Sequence, residues 1–381
     1  MSETAASYSI DSRATRFAPP EPVMPAQDAA AVLAEPLAPA RPPASTQSPT
    51  TGPTQSPITA PPVDPEPLAR ELTIAEPLPV AAPPAPARTG IRGLLGTVGI
   101  RLAPGPAEQA DRDAAARLAR DEAVIRQATW TRAVSVLVAN RKGGVGKTPV
   151  ALLLGGALAS VRGGSVCVLE VSDDPGALSF RAEGSPANGL GELIEAVERV
   201  STAGQLAGYT APQTSFASVI GSVRDRRALS RDDVIAVSGV IDSFYGMRIM
   251  DSGNQTSSSA FAGALDTADA LVVPVLESGD AVFEAVSMLE RLRERGGHHA
   301  ELAERAIILR LTDGRPVHPQ ASERIDRVIA RAGAAHVFSV PYDAHIAERG
   351  ELSLGRLAPQ TYRVFAAAAA SIVSSVRIPV G

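Results

Sequence analysis

Of the 36 Lys and Arg residues in this chain only two are lysines, Lys142 and Lys147, and both fall in the window Lys142-Gly143-Gly144-Val145-Gly146-Lys147-Thr148. Everywhere else a cation is arginine. A guanidinium is a broad planar fork, whereas an ammonium is a point charge on a thin stem that fits inside a tight loop. Lysine retained only here therefore points to a site where the compact charge is required. Gly143, Gly144 and Gly146 let the backbone turn amides toward an anion, with Val145 carried between them. Lys147 would reach the β- and γ-phosphates of a nucleotide, and Thr148 can ligate Mg²⁺. The chemistry suggested is phosphate binding.

Such a loop needs a strand before it and a helix after it. The apolar run 133–139 has the character of a buried parallel strand, and 150–161 reads as an apolar helix. Strand, glycine loop and helix together form the P-loop context. The general pattern G-x-x-x-x-G-K-[ST] asks for glycine at position 141, where this chain has Arg141.

What remains, K-G-G-x-G-K-T, is the deviant Walker A motif, and through it residues 131 to 376 or so resemble the ParA/MinD family of dimerising ATPases. The resemblance implies ATP and Mg²⁺ as cofactors and a homodimer formed on ATP. It also implies that Lys142 crosses the dimer interface to the partner's nucleotide. Pro149 stands where the family has Thr or Ser. Proline suits the first turn of a helix, but its missing N–H removes one contact expected at the α-phosphate.

Two acidic segments fit the same resemblance. The strand candidate 165–171 runs into Ser172-Asp173-Asp174-Pro175-Gly176, similar to the family's D-x-D-P Walker A′ segment. Alignment on the Asp-Pro pair makes Asp174 the residue that orients the attacking water, and a one-residue shift would give the role to Asp173. Together with Lys142 and Lys147 these are the candidate catalytic residues. Asp-Asp-Pro-Gly is also an ordinary turn sequence. The run 247–251 resembles the Walker B strand, with Asp251 at the strand end where open α/β sheets place ligands. Thr148 and Asp251 are thus the expected Mg²⁺ residues. The family continues D-T-P-P, and this chain has Asp251-Ser252-Gly253-Asn254.

Further strand candidates at 270–276, 306–311 and 336–340 alternate with helical stretches at 280–295, 320–331 and 359–376. The expected fold is α/β, a doubly wound and mostly parallel sheet of the ParA/MinD P-loop type. Pro341, Tyr342 and Asp343 resemble the family's I-P-x-D segment against the adenine; a turn with a helix cap reads the same residues equally well.

Residues 1–90 hold 20 of the 32 prolines and should form a disordered Pro/Ala-rich arm. Residues 91–130 read as a linker with a short apolar island near residue 100 and a charged helix over 107–129; 131–381 is the ATPase domain. No apolar run is long enough to span a bilayer, the first residues lack a signal peptide's apolar core, and a cytoplasmic location is expected. The single cysteine, Cys167, excludes an internal disulfide or a Cys-based metal site; a metabolic relative of the family, an amidoligase or ATP-coupled reductase partner, would want cluster cysteines or a glutaminase domain, and neither is visible in the sequence. The absence of a basic amphipathic C-terminal helix argues against a membrane oscillator. A net charge of −5 is not that of a uniformly basic DNA binder, although the arginines between 310 and 363 supply material for a local non-specific DNA patch.

The function expected is an ATP-binding and hydrolysing dimerisation switch that positions or segregates a cargo through an activating, ParB-like partner. The alternatives are a MinD-like regulatory ATPase accessory to type VII secretion or another assembly, with a secretion component as partner, and a nucleotide-gated binding module with little hydrolysis. The Pro-rich arm and the K-T-P ending of the loop resemble actinobacterial MinD-like ATPases.

Overall fold

The computed structural model describes residues 86–90, 92, 94 and 102–376. The Pro-rich arm and most of the apolar island lie outside the described residues. In chain order the elements are α1 (Pro106–Gln127), β1 (Val134–Val138), α2 (Lys147–Arg162), β2 (Val166–Val171), α3 (Leu178–Arg181), α4 (Leu190–Ala196), α5 (Ala203–Ala207), β3 (Ala211–Pro212) and β4 (Ser218–Ile220). They continue with α6 (Arg231–Asp242), β5 (Met247–Ser252), α7 (Ser259–Asp266), β6 (Ala270–Leu276), α8 (Gly279–Arg295), α9 (Gly297–Glu304), β7 (Ile307–Leu311), α10 (Pro319–Arg331), β8 (His336–Val340), α11 (Ala344–Ala347) and α12 (Pro359–Ser375).

The eight strands form one sheet in the order β3-β4-β2-β5-β1-β6-β7-β8. All neighbouring pairs are parallel except β3 with β4. The doubly wound, mostly parallel sheet expected from the sequence is therefore present. Central strands such as β1, buried at every position, read as unbroken apolar runs because both faces are covered by helices. Val134, Val136 and Val138 pack into one core with α2 and α12. Leu137 and Ala139 face the other, built from α4 and α6 to α10.

Helix α2 is the buried axis of the first layer. A Cβ placed at Gly155 would lie 2.4 Å from Val168 Cγ2, so glycine there lets the helix lie directly on β2. At its far end Arg162 donates to the carbonyls of Ile125 and Ala128 at 2.9 and 3.0 Å and lies over the Trp130 ring. That contact ties α1 to α2. Pro274, inside central strand β6, breaks no ladder: β1 pairs with β6 only as far as Val272, and the Pro274 carbonyl accepts from Asn140 Nδ2 at 2.8 Å instead.

Candidate nucleotide site

The chain leaves β1 through the glycine window and enters α2 at Lys147. Gly144 and Gly146 have φ of +75° and +95°, a left-handed backbone that a side chain would strain. Above them lies a cleft of 710 Å³ at the C-terminal ends of the parallel strands, where open α/β sheets bind ligands. It is lined by 144–149 of the loop and helix, by 172–177 after β2, by 251–255 after β5, and by Pro341 and Asp343 after β8. The separate sequence segments 144–149, 172–176 and 251 thus meet at one place.

Lys147 is buried, and its Nζ donates to the Lys142 carbonyl at 3.1 Å and to Asn254 Oδ1 at 2.5 Å. Burial pushes its pKa down to about 8. The Thr148 hydroxyl donates to Asp251 Oδ2 at 2.7 Å. Burial raises the Asp251 carboxyl to about 7, against the opposing pull of the Thr148 bond and the Lys147 charge. Its other oxygen, Oδ1, is buried without a hydrogen-bond partner. A carboxylate oxygen orphaned beside a threonine hydroxyl is the donor set a hard cation takes. Thr148 and Asp251 therefore fit Mg²⁺.

Lys142 points elsewhere. Its Nζ pairs with Asp280 at 2.8 Å at the start of α8, half exposed. That hydrogen bond raises its pKa, and Lys142 in turn holds the Asp280 carboxyl well below the usual carboxylate range. Arg141, the departure from the general pattern, docks on the same helix, 3.3 Å from Glu284. Pro149 lines the cleft with no N–H to offer, while the Val150 N–H still closes the first turn on Gly146 at 3.0 Å.

In the acidic loop Asp173 is half-buried and Asp174 exposed, both at the cleft, and neither carboxylate is hydrogen-bonded among the described residues. Ser172 spends its hydroxyl on the Asp174 carbonyl at 2.6 Å. At the opposite end of the cleft the picture differs. Asp343 Oδ1 accepts from the His345 N–H and Oδ2 from the Ala358 N–H, both at 3.0 Å, so its carboxylate caps α11 and anchors the chain into α12. Tyr342 packs over Gly314 and is 48% exposed; of this segment Pro341 and Asp343 line the cleft.

Two features escaped sequence reasoning. Asn254 holds Lys147, and nothing in its type or spacing announced it. Buried Arg226 pairs with buried Glu170 at 2.9 Å; here a signal existed, since a carboxylate inside the apolar run Val168-Leu169-Glu170-Val171 requires a buried partner. Several arginines offered for a DNA patch are engaged by acids, Arg310 by Glu277 and Asp326 and Arg356 by Glu348. Among the described residues no cluster of His, Cys, Asp and Glu forms a metal site by itself, and no helix is long and apolar enough to cross a membrane.

Residues 136–354 match the family model of the CobQ/CobB/MinD/ParA nucleotide binding domain. Among curated proteins the chain is 26% identical over 229 residues to the ESX-1 secretion-associated protein EspI of Mycobacterium tuberculosis, covering 59% of this chain and 34% of that protein. The chain thus spans about a third of the length of the curated relatives it matches. Among solved structures it is similar to a ParA family ATPase from Chlorobium tepidum, with a TM-score of 0.51 and 19% identity over 62% of this chain and 98% of that one. That likeness concerns the fold.

Proposed function

The chain belongs to the CobQ/CobB/MinD/ParA nucleotide binding domain family, and on that premise we propose that it binds ATP with Mg²⁺ in the cleft and hydrolyses it slowly. In this reading the ATP-bound homodimer positions or segregates a cargo through a partner protein. The observation that carries the nucleotide reading is that two buried ionisable groups, Lys147 and Asp251, line one cleft. Lys147 is an ammonium with its pKa pushed down to about 8, and Asp251 is a carboxyl pushed up to about 7 with one oxygen unsatisfied. Burial disfavours the charged form of each, and a triphosphate and its cation would relieve that cost.

The loop amides and Lys147 would hold the β- and γ-phosphates, and Thr148 with Asp251 would hold Mg²⁺. The bound cation supplies charge neutralisation along the phosphate chain. Asp174, which lines the cleft, would orient a water toward the γ-phosphate in this reading, with Asp173 the nearest substitute. Lys147 donates to Asn254 Oδ1, so a γ-phosphate would compete with Asn254 for the ammonium. Lys142, parked on Asp280, is the residue that would swing to a second copy's nucleotide when the dimer forms.

A second reading, a regulatory ATPase accessory to secretion, is favoured by the match to EspI, whose name associates it with ESX-1 secretion. One experiment separates the classes. Purified protein is assayed for ATP hydrolysis alone, with DNA and with liposomes. Stimulation by DNA supports a carrier that rides on nucleoid DNA; stimulation by neither, with ATP-dependent doubling of mass in light scattering, supports a switch read by a protein partner. Absence of both hydrolysis and dimerisation with ATP·Mg²⁺ contradicts the switch.

A further inference from the structure

The acidic loop 172–174 has a support that the phosphate loop does not share. Arg226, in the segment between β4 and α6, is 3% exposed in its side chain, and its partner Glu170, near the end of β2, is 1% exposed. One guanidinium meets three consecutive carbonyls of the loop: Nη2 donates to Ser172 at 2.9 Å and to Asp174 at 3.3 Å, and Nη1 to Asp173 at 2.6 Å. Nη2 also reaches Glu170 Oε1 at 2.9 Å, Nε donates to Ser222 Oγ at 2.8 Å, and the Ser222 hydroxyl donates to Glu170 Oε1 at 2.5 Å.

Three successive carbonyls turned inward repel one another unless a cation sits among them. A planar fork with five N–H groups can serve all three while keeping its carboxylate, and an ammonium with three donors on one atom cannot. The carbonyls turn inward to Arg226, and Asp173 and Asp174 both line the cleft. A buried Arg–Glu pair is in general weak evidence for stability, so its retention here calls for another benefit.

We propose that Arg226, oriented by Glu170 and Ser222, is a positioning residue that fixes the backbone of the acidic loop and thereby the carboxylate that guides the attacking water. The inference rests on the hydrolytic reading above for its consequence in catalysis, but its structural half stands independently. Arg226 touches no substrate. Its loss leaves the phosphate grip of Lys147 and Thr148 in place and misplaces only the acidic loop.

The test is Arg226→Lys in the full chain, read three ways. Amide hydrogen exchange in peptides covering 172–178 is expected to quicken about tenfold, with α2 and β1 unchanged, because the loop opens locally. ATP·Mg²⁺ affinity by calorimetry should stay within about threefold of wild type, while the single-turnover hydrolysis rate falls about 30-fold, the scale of a misplaced catalytic group. Unchanged exchange in 172–178, or a rise spread evenly through β2 and α2, overturns the clamp whatever the hydrolysis rate. A wild-type protein that binds ATP but does not hydrolyse it sinks the hydrolytic reading and leaves the clamp to be decided by exchange alone. If Arg226→Lys does not fold, Ser222→Ala, which removes the link between Nε and the carboxylate, should raise loop exchange about threefold; no rise overturns the proposal.

Discussion

Asp251 and Asp343 are both 5% exposed and both stand at or just beyond the C-terminal end of a strand in the same sheet, yet their carboxylates are used in opposite ways. At Asp343 each oxygen accepts a backbone N–H, and the carboxylate is consumed in holding α11 and the entry to α12. At Asp251 one oxygen takes the Thr148 hydroxyl and the other has no partner. A buried carboxylate with both oxygens filled explains itself as structure, whereas one left half-satisfied marks a place where something else binds. The Asp251 end of the cleft is left half-satisfied and the Asp343 end is finished.

The largest effect on stability should come from the finished end. Asp343→Ala leaves two N–H groups without their carboxylate acceptor, a loss of about 3–6 kcal/mol at roughly 1.5–3 kcal/mol for each such bond. Urea melts check this, and a loss below about 1 kcal/mol would erase the contrast.

Asp251→Asn should act with the opposite sign. The unfolded chain gives up this proton near the ordinary aspartate value of 3.8 and the folded protein keeps it to about 7. The folded state therefore binds more protons across that window, and wild-type stability falls as pH rises through it. Removing the charge should flatten the fall and stabilise the protein by about 2–4 kcal/mol above pH 7. Melts at pH 5 and 7.5 read the slope; an Asn variant with the wild-type slope would mean the carboxyl is ionised throughout.

Thr148→Val removes the hydrogen bond that lowers the Asp251 pKa, so the same fall should extend to higher pH, with a stability change of about 1 kcal/mol. The carboxyl resonance of Asp251 in NMR titration locates it. The smallest effect on the fold is at Lys142, whose pair with Asp280 is exposed and contributes little in water. Lys142→Ala should leave the melting temperature unchanged and prevent the ATP-dependent dimer, seen as constant mass in light scattering with a non-hydrolysable analogue. Doubling of mass in that variant would remove Lys142 from the partner's site.

Much of this was readable in the sequence because it rests on local rules. The glycine window fixes a left-handed turn, the apolar runs around it fix strand and helix, and 336–340 and 359–375 fall where the pattern places them. The Asp343 segment remained ambiguous because a cap and a ligand contact draw on the same residue types, and only the positions of the His345 and Ala358 amides decide. The stretch 178–246 was opaque for another reason. Its strands β3 and β4 are two and three residues long, too short for a period to register. Arg226 looks like one more surface arginine among Arg224, Arg226 and Arg227, and its burial depends on Glu170, 56 residues away.

The most direct test of the account is a calorimetric titration of ATP into wild type and Lys147→Ala, each with Mg²⁺ and with EDTA. Mg²⁺-dependent binding to wild type is expected, with a loss of on the order of 100-fold or more in the variant, from two or more charge-assisted bonds at about 1.5–3 kcal/mol each. Equal affinity of the two proteins, or binding indifferent to Mg²⁺, would contradict the assignment of Lys147, Thr148 and Asp251 as the nucleotide site.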